Sequence, residues 1–350
     1  MSIYGGRDNL EAWGPSCSLV GSVFYRNEKG FPTIGQASHF FRNFKFLKVL
    51  DLEFIYIDSI PTELPYLRYF AGTMTREIVT SSIVNLANLE MLILRSSGRS
   101  FPLPIALLKI GKLRHLQTYF ETYFTSHVAE ELLIDNSSKY YEWETLSTLC
   151  FSRAKDMEVM LRKAPNLRKL KCSLNDYSKS FPALDFLTKL ETVKVYSRRL
   201  PFGRDAYIFP SNLKKLTLSY AKLGGRDESN IAMLPNLQVL KLKCIEFYNK
   251  EWEVNNDECS FPKLKVLKIV YCYWFDKWNV SDDAFPCLER LVLFGCKRLE
   301  EIPSHFEDKP CLKSIEVKSC KESVVQSAMD IQEVQVDYMQ NCGFKVFINQ

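Results

Sequence analysis

The chain has 350 residues, 46% hydrophobic, 13% aromatic and 25% charged, with a formal net charge of +5. So much apolar and aromatic content excludes intrinsic disorder, and no run of about 18 uncharged apolar residues offers a membrane span. The charge is too slight to indicate nucleic acid, and the opening MSIYGGRDNL lacks the basic and apolar parts of a secretory signal.

In chain order, residues 1–39 read as an N-terminal cap with a partial first repeat, in which Val20-x-x-Val23-x-Tyr25 predicts the first strand of a stack. From residue 40 to 320 the template L-x-x-L-x-L recurs, first at Leu47 and last at Leu312, with one copy read as LSTLCF at Leu146. The gaps between starts run from 20 to 27 residues, apart from one of 33 that reads as an insertion. Leucine-rich repeats have periods of roughly 20–29 residues. Apolar residues fill 34 of the 36 template positions, Gly72 and Thr118 being the exceptions.

The third template position lies two residues after the second, which is strand alternation: template residues point inward and the residues between them outward. A single strand cannot bury its leucines, so neighbouring rungs must stack. The predicted fold is therefore α/β: a leucine-rich-repeat solenoid, a curved horseshoe with a parallel concave sheet, about 12 repeats and terminal caps. The long gap predicts a loop or short helix around Asn136 and Ser137 on the convex side. In residues 321–350, taken as the C-terminal cap, Val324 to Met339 predicts a helix and Phe344, Val346 and Ile348 a last strand.

Two minor regularities accompany the template. Proline stands two residues before the first leucine at Pro65, Pro165, Pro235, Pro262, Pro286 and Pro310, which suits the start of a strand. The ninth repeat position holds Asn175, Cys272, Cys296 and Cys320, small side chains expected to tuck under the turn and bond to backbone. The eleven cysteines form no CxxC pair, and His39, His115, His127 and His305 are far apart. No disulfide framework or zinc module is expected; reduced thiols point to the cytosol or nucleus, and the chain is assigned to the cytoplasm.

Catalytic signatures are lacking. HExxH, GxSxG and GxGxxG do not occur, and the segment Gly30–Ala37 has Gln36 and Ala37 where a phosphate loop needs Lys and Ser/Thr. No catalytic, cofactor-binding or metal-ligating residue is assigned. The outward strand positions do carry a pattern. From the sixth repeat they hold Lys169, Lys171, Lys194, Lys215, Lys241, Lys243, Lys268 and Arg290, with Tyr196, Tyr220, Tyr271 and Phe294 at the strand ends. The earlier repeats present Asp51, Glu53, Tyr69, Met91, Ile93 and Tyr119 instead. A concave face with a basic second half is expected to dock an acidic protein surface rather than nucleic acid, with charge speeding encounter and aromatics anchoring the complex. Oligomeric state is left open.

Several segments resemble the repeat region of plant intracellular immune receptors of the coiled-coil, nucleotide-binding, leucine-rich-repeat class, of the late blight resistance type found in the nightshade family. They are Trp13–Arg26, Phe41–Glu53, Phe209–Tyr220, Leu234–Lys243, Phe261–Ile269, Cys296–Phe306 and Ser327–Gln335. The resemblance spans this whole chain but only the repeat part of such receptors. It implies a sensor that recognises a pathogen effector or a host protein and restrains a nucleotide-binding switch domain, so that recognition leads to defence signalling and localised cell death. ADP and ATP would bind that domain, and no residue here inherits a nucleotide role. The alternative is the substrate-recognition repeats of a plant F-box ubiquitin ligase, though residues 1–40 show no F-box helices.

Overall fold

The computed structural model describes residues 2–5, 19–25, 33–34, 41, 44–75, 79–96, 100–124, 140–174, 181–197, 207–254 and 260–349. The chain divides into two units, Met1–Phe151 with Val159–Ser173, and Ser152–Glu158 with Leu174–Gln350.

The first unit contains β1 (Ser2–Gly5), β2 (Ser22–Tyr25), β3 (Thr33–Ile34), β4 (Val49–Ile57), β5 (Tyr69–Met74), β6 (Met91–Ser96), β7 (Ser100–Leu103), β8 (His115–Phe124), β9 (Thr145–Phe151) and β10 (Lys169–Leu174). Strands β1, β2, β4, β5, β6, β8 and β9 pair in parallel, each with the next. The Arg168 and Lys169 N–H groups donate to Glu144 O and carry the ladder to β10. The expected strand at Val20–Tyr25 is present, with Val20, Val23 and Tyr25 buried.

The fifth rung starts three residues earlier than LSTLCF suggests. Leu116 pairs with Leu146, which makes Leu146 the second inward residue of its rung and Trp143 the first. Trp143 is as buried as the leucines it replaces; a template written in aliphatic residues passes over it. Both template exceptions have a physical reason. At Gly72 an added Cβ would lie 2.8 Å from the Ile57 side chain. Buried Thr118 donates to Ser147 O at 2.8 Å and accepts at its carbonyl from Thr148 Oγ1 at 2.7 Å, so no buried hydroxyl is left unsatisfied there.

The second unit contains β11 (Thr192–Tyr196), β12 (Lys215–Ser219), β13 (Lys222–Leu223), β14 (Val239–Lys243), β15 (Glu246–Phe247), β16 (Glu251–Val254), β17 (Val266–Val270), β18 (Lys277–Val280), β19 (Arg290–Phe294), β20 (Ser314–Lys318) and β21 (Lys345–Asn349). Its main sheet runs β11, β12, β14, β17, β19, β20, β21, all parallel and in unbroken register. Leu216, Leu240, Leu267, Leu291 and Ile315 align in one inward row and are fully buried. Behind them β16 pairs with β18 and stacks Trp252 on Trp278 at 5.4 Å; Phe306 closes on Trp278 at 5.0 Å.

The prolines occupy turns rather than strand starts. Leu67 N–H bonds Leu64 O across Pro65 and Tyr66, and Leu237 N–H bonds Leu234 O across Pro235 and Asn236. Proline's fixed φ suits the second position of such a turn. Asparagine before the first leucine links rungs: Asn88 donates to Pro65 O at 2.8 Å and Asn236 to Ser211 O at 3.0 Å.

The cysteines at the ninth position do tuck under the turn. Ile245 N–H donates to Cys272 Sγ at 3.4 Å, and the Cys296 thiol donates to Ile269 O at 3.7 Å. A hydrogen bond with Cys296 holds the Cys320 thiol down to about 7, while burial pushes Cys272 up to about 12. Asn175 and the segment around Asn136 and Ser137 lie outside the described residues. A helix at Glu322–Glu333 continues into a wider turn at Val334–Tyr338, and β21 takes the next place after β20.

Between β13 and β14, the helix Gly225–Ala232 carries buried Asp227 and Glu228. Asp227 accepts from Tyr207 N–H at 2.8 Å and Gly224 N–H at 3.0 Å. Burial pushes Glu228 up to about 7, with Asp227 and Glu253 adding repulsion against a backbone hydrogen bond from Glu253. A carboxyl with a raised pKa in the folded state stabilises the fold fully below its unfolded pKa, and that contribution is lost as pH rises through the folded value. The unit should therefore weaken between about pH 4.5 and 7. Glu228→Gln keeps an acceptor without the charge; it should raise stability above pH 7 by roughly 1–3 kcal/mol and change little at pH 4. Urea midpoints measured at both pH values check this.

Candidate functional site

Parallel register sorts the outward residues of the second unit into three rows. The first holds Thr192, Lys215, Val239, Val266, Arg290 and Ser314. The second holds Lys194, Thr217, Lys241, Lys268, Val292 and Glu316, and the third Tyr196, Ser219, Lys243, Val270, Phe294 and Lys318. The rows share a face because side chains on a strand alternate.

The expected lysines do not act alike. Lys194, Lys241 and Lys268 lie in the middle row, with only Thr217 interposed, and Lys215 and Lys243 flank it. Among the described residues no ion pair reaches any of these five, whereas Lys214, Lys265 and Lys313, which precede the strands, pair with Glu191 and Glu289. Partial burial first, then repulsion from Lys268, Lys194, Lys243 and Lys215, lowers the Lys241 pKa. Neighbouring strands are about 5 Å apart, inside the Debye length of about 8 Å, so this repulsion is only partly screened. Arg290 is different: its guanidinium bonds Glu316 at 2.7 Å. Lys169 and Lys171 are exposed on β10 and belong to the first unit.

The aromatics form two pairs. Tyr196 meets Tyr220 at 4.8 Å between centroids, and Phe294 meets Tyr271 at 4.5 Å, with Lys318 over the Phe294 ring at 5.3 Å. Tyr196 and Phe294 are the last residues of their strands, in the third row; Tyr220 and Tyr271 stand one residue beyond theirs. After β12, β14, β17, β19 and β20 the backbone is left-handed: φ is 58° at Tyr220, 51° at Cys244, 54° at Tyr271, 68° at Gly295 and 51° at Ser319. Each of these residues donates its N–H to the last carbonyl of the neighbouring strand, as Tyr220 does to Lys243 O at 2.9 Å and Gly295 to Lys318 O at 2.8 Å. The conformation costs a residue other than glycine roughly 1–2 kcal/mol, which the cross-rung bond helps to offset.

Sequence reasoning did not pick out Tyr273, Trp274 or Lys318. The run Tyr271–Phe275 was the available signal: its aromatics at 271, 273 and 274 are exposed while Cys272 and Phe275 are buried. Arg298, held by Asp276 at 2.8 Å, lies 5.4 Å over the Trp274 ring.

The outward face of the first unit differs in chemistry. Arg95 is paired with Glu53 and lies 4.0 Å over the Tyr119 ring. Burial, with the charges of Asp51 and Glu53, pushes the Tyr69 hydroxyl up to about 12. His115 sits within 3.2 Å of Thr145 Oγ1, a hydrogen bond between neighbouring rungs. Among the described residues no group of three His, Cys, Asp or Glu side chains could hold a metal ion, and no helix is long and apolar enough to cross a membrane.

The sequence profile of the leucine-rich repeat region family matches residues 41–342. The putative late blight resistance protein homolog R1B-16 of Solanum demissum is 47% identical over 97% of this chain and 27% of its own length. Late blight resistance protein R1-A of the same species is 46% identical, with the same shares covered. The chain thus spans about a quarter of these relatives. Among solved structures, a leucine-rich-repeat protein of Leptospira interrogans superposes with a TM-score of 0.56 at 15% identity, over 99% of this chain and 89% of that one. An internalin from Listeria monocytogenes gives 0.53 at 12%, over 95% and 81%. These two share the fold.

Proposed function

This chain belongs to the leucine-rich repeat region family, and we propose that it is the protein-recognition module of a plant disease-resistance protein of the late blight kind. The observation that carries this reading is a set of five lysines with no ion pair among the described residues, brought onto one sheet face by consecutive rungs. A face of one sign attracts a partner of the other and speeds encounter. The module binds and does not catalyse. Its basic face takes an acidic surface on a pathogen effector or host partner. The first unit's face around Asp51, Glu53 and Arg95 packs on a nucleotide-binding switch domain outside this chain and holds it in its ADP state. Recognition triggers defence because the bound partner and the resting switch domain favour different states of the receptor. The setting is the cytoplasm.

Two measurements test this. A nucleotide-binding domain from a Solanum relative, supplied as a separate chain, should co-precipitate with this one; no association overturns the restraining role. A partner recovered from pathogen-challenged leaf extract should bind the Lys241→Glu, Lys243→Glu double variant at least about tenfold more weakly, with a flatter salt dependence. Unchanged affinity and unchanged salt dependence remove the acidic-partner reading.

A further inference from the structure

Where the chain leaves β12, β14 and β17 and turns over the rim of the second unit's sheet, it encloses a cleft of about 450 Å³. The rings of Tyr220, Tyr271, Tyr273 and Trp274 line it above Ala221 and Ile245. Those rings are 43%, 38%, 49% and 54% exposed, although Ala221 and Ile245 beneath them are buried. Rings exposed to that degree add little to the core. Tyr220 and Tyr271 occupy rung ends that other rungs fill with the smaller Cys244, Gly295 and Ser319, so the repeat itself does not call for a large ring there.

The charges around the cleft identify its occupant. Lys222 and Glu246 at its edge are paired at 3.0 Å and neutralise each other, so the interior favours an apolar group. Lys243 precedes Cys244 of the cleft wall, and Lys241 and Lys268 lie one row back on the same face. We propose that the cleft seats one apolar side chain of an acidic peptide segment in a protein partner, while Lys241, Lys243 and Lys268 hold the flanking carboxylates. The proposal rests on the basic face being the docking surface, and adds to it a defined anchor site and a sequence requirement on the partner. A second copy of this chain is a poorer occupant, since the same face would bring lysines against lysines.

The full chain can be titrated with labelled seven-residue peptides that carry three acidic residues on each side of a central phenylalanine or alanine, read by fluorescence anisotropy at low and physiological salt. The phenylalanine peptide should bind roughly tenfold tighter than the alanine peptide. Trp274→Ala and Tyr273→Ala, both at exposed positions, should each reduce that preference, while Lys241→Glu with Lys243→Glu weakens both peptides. Equal, salt-sensitive binding of the two peptides overturns the anchor site and leaves the basic face standing. Absence of binding by either peptide overturns both. A preference that survives both aromatic variants, or self-association of the chain that competes with the peptide, also overturns the proposal.

Discussion

Leu240→Ala should cost the second unit about 2–5 kcal/mol and lower its urea midpoint with little change in slope. Leu240 is fully buried and lies in register between Leu216 and Leu267, so truncation opens a cavity that both neighbouring rungs border. A ladder of short rungs has no distant packing to compensate, because each repeat is stabilised chiefly by its neighbours. The adjacent Lys241→Ala, on the outward side of the same strand, should change stability by less than about 0.5 kcal/mol in the same titration. A loss below about 1 kcal/mol for Leu240→Ala would mean that the leucines do not share one interior.

Gly295→Ala should destabilise by roughly 2–3 kcal/mol, more than the 1–2 expected from its left-handed backbone alone. The additional loss comes from Tyr271, whose Cδ1 lies 2.5 Å from where the new methyl would stand and whose ring would have to leave its contact with Phe294. Gly225, in open space at the start of a helix, is the control: alanine there should be neutral or slightly stabilising. Thermal or urea denaturation of both variants measures the difference. Since Tyr271 lines the rim cleft, Gly295→Ala should also narrow the gap between the two peptide affinities.

The inward half of the fold was legible because burial imposes a strict two-residue alternation and stacking imposes a period. Both constraints act on residue type, and leucine at these positions is their direct trace. Trp143 escaped because its slot demands an apolar volume but the template named only one way of filling it. The lysine face was legible as a composition of outward positions. Its organisation into rows became visible with the strand register, which places Lys194, Lys241 and Lys268 together and Lys215 to one side. The Arg290–Glu316 pair depends on side-chain direction across rows, which no periodicity encodes. Tyr273 and Trp274 lie past the strand, where alternation no longer applies, so nothing in the repeat marks them as inward or outward.

The left-handed turn that ends five successive rungs, from β12 to β20, has an evolutionary consequence. Tyrosine, cysteine, glycine and serine all occupy it with φ between 51° and 68°, and its link to the next strand is made by the backbone alone. One codon can therefore be rewritten at each rung, giving a different contour at the edge of the sheet while the ladder beneath keeps its bonds. These positions thus act as separate dials on the contour of the rim, except where two of them touch, as Gly295 and Tyr271 do.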